Sequence, residues 1–142
     1  MNGRAFVDTN ILMYAQDAST GAKHDRARQL VEQLWESGSG VLSTQVLQEL
    51  CVNVRRKVRK PLSSQETHRL VQNYLNWQIV VNDTVAIVQA LDFEKSYQVS
   101  FWSALILQAA ETAGVEVLYS EDLASGRKYG SFRVQNPFTD LP

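Results

Sequence analysis

The stretch Ala5-Phe6-Val7-Asp8-Thr9-Asn10-Ile11-Leu12-Met13-Tyr14 decides the fold. Its first three apolar residues make a short buried strand, a carboxylate closes that strand, and Ile11-Leu12-Met13-Tyr14 begins a helix behind the turn. A carboxylate at the C-terminal end of a first strand lies where open α/β sheets gather their ligands. The pattern returns near the other end of the chain. Val115-Glu116-Val117-Leu118-Tyr119 reads as a strand, and Ser120-Glu121-Asp122 follows it. Asp8 and Asp122 can meet in space if both strands are central and parallel. Two carboxylates brought together in this way suit a hard divalent cation, which prefers oxygen ligands.

Working outward from that stretch, short strands alternate with helices. Ala27, Leu30, Val31, Leu34 and Trp35 fall at helical spacing between Ala22 and Ser37, and Gly38 stops that helix. Val41-Leu42 reads as a second strand, with Ser43 or Thr44 available to cap the next helix. There Val46, Leu47, Leu50, Cys51, Val54 and Val58 form an apolar stripe that Pro61 ends. Ser63 and Glu66 have capping-box spacing ahead of a helix whose buried face is Leu70, Val71, Tyr74 and Leu75. Ile79-Val80-Val81 is a third strand. Asp83 caps a helix carrying Val85, Val88 and Leu91, and a further helix runs from near Ser100 to Gly114. Phe132-Arg133-Val134 is the last strand, and Pro137 takes the tail out of the sheet. The alternation predicts βαβ units on a mostly parallel sheet of four or five short strands flanked by helices, an α/β fold in a single domain spanning 1–142.

Bulk properties narrow the function. The 142 residues suffice for one domain with a real core. A net charge of −1 supplies no global field toward nucleic acid or membrane, so any polyanion must meet a local patch. Cys51, the only cysteine, excludes an internal disulfide and a multi-cysteine zinc site, and it lies on an apolar stripe where most thiols are inert. His24 and His68 lack ligand spacing and read as solvated. Trp35, Tyr74 and Trp77 read as core or interface residues. No apolar run is long enough to span a bilayer, and the first residues lack a signal-peptide core. A cytoplasmic protein without membrane attachment is the expectation.

Phe6-Val7-Asp8-Thr9-Asn10, the segment from Ser43 to Glu49, Phe101-Trp102 before an Ala/Leu-rich helix, Ser120-Glu121-Asp122-Leu123 and Asn136-Pro137-Phe138 together resemble a PIN-domain protein. The similarity is greatest to the VapC-like ribonuclease toxins of toxin–antitoxin pairs, and it runs nearly end to end with order and spacing kept. It implies a PIN-like three-layer α/β/α fold and an endoribonuclease in which carboxylates hold Mg²⁺ or Mn²⁺ for attack of water on an RNA phosphodiester. By that resemblance Asp8, Glu49 and Asp122 are the catalytic, metal-holding acids, and Asn10 and Ser120 support them. The implied partners are RNA, a cognate antitoxin that blocks the cleft, and a second copy of the chain. The chemistry is coherent, because crowded carboxylates repel one another until a cation neutralises them.

One position departs from the family pattern. Where the family carries a third acid after Phe-Trp, this chain has Ser103. A hydroxyl brings hydrogen-bonding capacity but no charge. Ser103 therefore also supports a second reading, a degenerate PIN domain that binds RNA or protein without cutting. A phosphatase-like reading of the strand-end Asp8 fails on Asn10, which stands where an Asp-x-Asp pair needs its second acid. For Asp8 and Asp122 the plain alternatives are a helix cap and a turn residue. Two basic stretches are candidate RNA contacts, Arg55-Arg56-Lys57 and Arg127-Lys128. The first equally suits a helix C-terminus, where cations meet the helix dipole.

Overall fold

A computed structural model describes residues 3–141; Met1, Asn2 and Pro142 lie outside the described residues. The elements run β1 (Ala5–Val7), α1 (Thr9–Gln16), a 3-10 turn (Ala18–Thr20), α2 (Ala22–Ser37), β2 (Gly40–Ser43), α3 (Thr44–Asn53), α4 (Ser64–Tyr74), β3 (Gln78–Val80), α5 (Thr84–Tyr97), α6 (Phe101–Ala113), β4 (Val117–Tyr119), β5 (Lys128–Tyr129) and β6 (Phe132–Gln135). The sheet order is β3-β2-β1-β4-β6-β5. All neighbouring pairs are parallel except β5 with β6. The fold is thus α/β, with a mostly parallel central sheet flanked by helices.

This order has a direct consequence for function. From β1 the chain steps to β2 and then β3 on one side, and returns to place β4 on the other side of β1. Between β1 and β4 the direction of winding reverses, and open parallel sheets bind ligands at the carboxyl ends of strands at such a point. Phe6 pairs with Leu118 and Val7 with Tyr119, so the two strands end level, and Asp8 N–H donates to the Tyr119 carbonyl at 3.0 Å. Burial of the whole of β1 and β2 explains their unbroken apolar runs, as expected of central parallel strands covered on both faces. Phe6, Val7, Leu12, Val41, Leu42, Leu107, Leu118 and Val134 form the middle of the core.

Local sequence signals set most of the helix starts. Asp8, Ser43, Asp83 and Ser100 each cap the helix they precede. Ser63 and Glu66 complete a reciprocal capping box. Gly40 is required for another reason: a Cβ there would collide with the Trp77 ring.

Several expectations need correction. The described sheet has six strands, because Lys128–Tyr129 adds a two-residue antiparallel edge to β6. Helix α3 stops at Asn53, and Val54 and Val58 are buried from the turn that follows rather than from a helical stripe. Val81 lies beyond β3 and is exposed, and Leu75, just past the end of α4, is exposed as well. Helix α5 is capped by Asp83 as expected, and its inner face is one its sequence leaves open. It buries Ala86 and Ala90, whereas Val85, Val88 and Leu91 are 59%, 60% and 50% exposed. Ala90 packs against Ala104 and Leu105 of α6 with Phe93 beside it, and Val85, Val88 and Leu91 face outward.

Candidate active site

The reversal between β1 and β4 delivers two acidic segments to one end of the sheet. Asp8 leaves β1 and caps α1, its Oδ1 accepting from Thr9 N–H at 2.7 Å. Its Oδ2 accepts from the hydroxyl of Ser120 at 2.9 Å, across from the end of β4. Ser120 is fully buried, and its Oγ also accepts from the backbone N–H groups of Asp122 (3.2 Å) and Leu123 (3.4 Å). One hydroxyl therefore joins the first acid to the backbone that carries the last one. Glu49 comes from α3, and Thr9 Oγ1 donates to its Oε1 at 3.0 Å.

These side chains share a cavity of about 350 Å³ whose lining includes Asp8, Asn10, Glu49, Asp122, Asn53 and Lys57. The capping and ligand-site interpretations of Asp8 are compatible, since one carboxylate caps α1 and faces this cavity. Burial raises its pKa from 3.8 to about 6. The hydrogen bonds from Ser120 and Thr9 only partly offset that penalty, and the charges of Asp122 and Glu49 add to it. A cation in the cavity would relieve all of these unfavourable interactions with one charge.

The oxygen donors suit a hard cation. Asn10 lines the cavity, and its buried Oδ1 has no hydrogen-bond partner among the described residues. As placed, no three acidic, histidine or cysteine side chains among the described residues come together tightly enough to enclose an ion.

The structure gathers Asp8, Asn10, Glu49, Asp122 and Lys57 at the cavity, with Ser120 bonded beneath it. It does not gather the other candidates there. Ser103 lies in the first turn of α6, its N–H donating to the Ser100 cap, and is not among the lining residues. Arg55 and Arg56 are exposed in the turn after α3, where Arg55 Nε donates to the Cys51 carbonyl at 2.7 Å. The basic run thus follows the helix rather than forming its last turn. Arg127 stacks on the rings of Tyr129 (4.6 Å) and Tyr97 (5.7 Å), and Lys128 lies on the edge strand β5.

Sequence reasoning overlooked Thr9, Tyr14, Asp17 and Asn53 at this site. For all of these but Thr9, helical spacing carried the signal. Asn10, Met13, Tyr14 and Asp17 recur at i, i+3, i+4 and i+7 along α1 into its C-cap and all line the cavity. Glu49, Asn53 and Lys57 are likewise four apart, and Lys57 N–H reaching the Asn53 carbonyl at 2.7 Å continues the helical turn. Glu121 turns aside from this group. Its Oε1 accepts from the Tyr14 hydroxyl at 2.6 Å, and its Oε2 pairs with Lys23. Burial opposes its charge, but the bonds from Lys23 and Tyr14 outweigh that effect and hold its pKa below the ordinary value.

A hollow of about 420 Å³ also opens between α1, α2 and α4, lined by Val31, Trp35, Leu70 and Tyr74 with Arg28 and Glu32 among its polar residues. It gathers no group of acids, and its one lining carboxylate, Glu32, is paired with Arg28. The catalytic candidates therefore lie in the acidic cavity.

Among solved structures, the chain resembles a toxin–antitoxin complex from Klebsiella pneumoniae (TM-score 0.68, 19% identity, 94% of this chain and 97% of the other). It also resembles DNA-bound VapBC from Salmonella typhimurium (TM-score 0.66, 15% identity, 94% and 98%). A third similar structure is Mycobacterium tuberculosis VapC20, a sarcin-ricin loop cleaving toxin (TM-score 0.63, 19% identity, 83% and 89%). At these identities the likeness is one of fold. No curated protein matches the sequence. The family model for the PIN domain matches residues 5–128. With the acids grouped at the carboxyl ends of the central strands and the domain model covering most of its length, the chain belongs to the PIN-domain family.

Proposed function

We propose that this chain is a divalent-metal-dependent endoribonuclease and the toxin of a toxin–antitoxin pair, with Asp8, Glu49 and Asp122 holding Mg²⁺ or Mn²⁺. The observation that carries this reading is the shared cavity: Asp8 from the end of β1, Glu49 from α3 and Asp122 from the segment after β4 line it together with Asp17, the C-cap of α1, and Lys57. When bound, the cation supplies positive charge to the scissile phosphate and makes the attacking water more acidic. The chain's own residues do the rest. Ser120 and the Thr9 N–H fix both oxygens of Asp8, and the Thr9 hydroxyl fixes one oxygen of Glu49, so two of the acids are oriented before any ligand arrives. Lys57 gives the cavity a cation able to meet an RNA phosphate. Arg55 and Arg56 extend that basic edge beyond the lining, whereas Arg127 and Lys128 would contribute only from the far strand.

Two kinds of protein partner fit the molecule. Solved toxin–antitoxin complexes share the fold, and an antitoxin guanidinium entering the acidic cavity would pair well with its carboxylates. The outward stripe of Val85, Val88 and Leu91 on α5 is an apolar surface of the kind two copies bury against each other. The cytoplasm is the proposed place of action, where RNA is found and the free Cys51 thiol stays reduced. No helix among the described residues is long and apolar enough to cross a membrane.

The deciding experiment is cleavage of a labelled panel of single-stranded and structured RNAs with Mg²⁺, Mn²⁺ or EDTA, comparing the chain with Asp8→Asn and Ser103→Asp. Metal-dependent cleavage that disappears in Asp8→Asn supports a working nuclease on three acids. Ser103, standing where the family has an acid, supports the alternative of a PIN scaffold that binds without cutting. That alternative is favoured if the chain is inactive and Ser103→Asp gains cleavage. Inactivity of the chain and of Ser103→Asp with every metal overturns the nuclease reading.

A further inference from the structure

Asp122 is exposed on an irregular segment, yet the backbone on both sides of it is tied down. Its own N–H and that of the buried Leu123 are held by Ser120 Oγ. On the other side, Glu121 is fastened to two helices. Its Oε1 accepts from Tyr14 of α1 at 2.6 Å, and its Oε2 pairs with Lys23 of α2. The Lys23 ammonium also lies within 3.5 Å of the Tyr14 hydroxyl, 5.0 Å from the centre of the Tyr14 ring and 5.5 Å from that of Phe138. Phe138 meets Tyr14 edge-on at 5.1 Å, so the tail braces the arrangement from outside. Tyr14 in turn lines the acidic cavity.

We infer that Lys23, Tyr14 and Glu121 form a positioning bracket that sets the affinity of the cavity for a divalent cation by fixing the backbone of Asp122. The inference rests on the metal-site reading of that cavity. A partly exposed ion pair contributes little to global stability. Its effect here is local, because it limits where an otherwise solvent-facing carboxylate can swing. Lys23 also neutralises the one acid adjacent to Asp122 in sequence and keeps it away from the cation. A bracket and a reserve ligand predict opposite outcomes when Lys23 is removed. If Glu121 were a ligand held back, its release would strengthen metal binding.

The test is Mn²⁺ affinity, followed by the electron paramagnetic resonance of free Mn²⁺, for the chain and for Lys23→Met, Lys23→Arg, Glu121→Gln and Asp8→Asn. Lys23→Met and Glu121→Gln are each expected to weaken binding about tenfold, the usual scale for a residue that orients a ligand. Lys23→Arg should restore most of the affinity, and the Lys23→Met/Glu121→Gln double variant should be no weaker than either single. Metal-free melting temperatures should stay within about 2 °C of the parent. Unchanged or tighter binding in Lys23→Met overturns the bracket, and so does a loss of affinity that merely tracks a large fall in metal-free melting temperature. Absence of Mn²⁺ binding in the unsubstituted chain and in Asp8→Asn alike overturns the metal-site reading and the bracket with it. Binding in the unsubstituted chain that Lys23→Met leaves intact overturns the bracket alone.

Discussion

Asp8 carries opposing demands. It caps α1 and is tied to Ser120, yet burial holds its pKa near 6, above the ordinary 3.8. The folded chain therefore keeps a proton that the unfolded chain releases. Stability linked to that proton is fully present below about pH 4 and is lost as pH rises through about 6. Well above that range the ionised carboxylate costs about 3 kcal/mol in the metal-free protein. Asp8→Asn should accordingly melt several degrees higher than the parent in EDTA at about pH 8, with the gain shrinking toward about pH 5. Thermal melting across that range checks this, and a lower melting temperature for the variant throughout would sink it. The same proton competes with the cation, so Mn²⁺ affinity should fall as pH drops below about 6, which titrations at stepped pH would reveal. Ser120→Ala removes a buried hydroxyl that serves Asp8, Asp122 and Leu123 at once. Leaving those groups unpaired should cost about 1–3 kcal/mol in urea unfolding. Asp8 and Ser120 could be singled out from sequence, because strand ends announce themselves. Thr9 could not, since a Thr at the first turn of a helix is commonplace until its hydroxyl is seen on Glu49.

Among the elements, α5 shows most clearly what a sequence leaves open. Val85, Val88 and Leu91 have the spacing of a buried stripe, and an isolated helix gives no reason to prefer the alanines as its inner face. The choice belongs to the packing against α6, where Ala104 and Leu105 meet Ala90 and the half-buried Phe93 of α5. Val88→Glu should therefore leave monomer stability within about 0.5 kcal/mol, as an exposed substitution does. It should also dissociate any dimer built on this face, which light scattering after gel filtration would detect. A loss of several kcal/mol would mean that Val88 is buried after all. Strand β2 makes the opposite demand at Gly40, where any side chain meets the Trp77 ring. Gly40→Ala should cost about 1–3 kcal/mol in denaturant unfolding, the usual penalty for overpacking. The basic run after α3 shows how an element boundary alters a reading. Although α3 ends at Asn53, the turn after it keeps the four-residue spacing from Glu49, so Lys57 lines the acidic cavity and Arg55 and Arg56 do not.

At the scale of the whole molecule, strand order joins fold to site. Placing β1 beside β4 brings Asp8 to a loop more than a hundred residues away, and a cation bound there would link three separate elements. Saturation with Mn²⁺ at about 100 times its dissociation constant should stabilise the fold by about 2.7 kcal/mol. The melting temperature should rise by roughly 5–10 °C, and Asp8→Asn should abolish the shift. An equal shift in that variant would place the cation elsewhere. The amino-acid sequence by itself determined most of the elements and pointed to candidate site residues. Unbroken apolar runs mark covered strands, Ser and Asp caps mark helix starts, and acids at two strand ends mark a candidate site, all through interactions among residues near one another in the chain. Resemblance supplied Glu49, whose local context is that of any solvated acid. Tertiary structure alone decided which acids share a cavity, that Glu121 is diverted to Lys23 and Tyr14, that Ser103 stays out of the cavity lining, and which face α5 turns outward. Each of these depends on distances between elements far apart in sequence, and those distances are set by packing across the whole sheet.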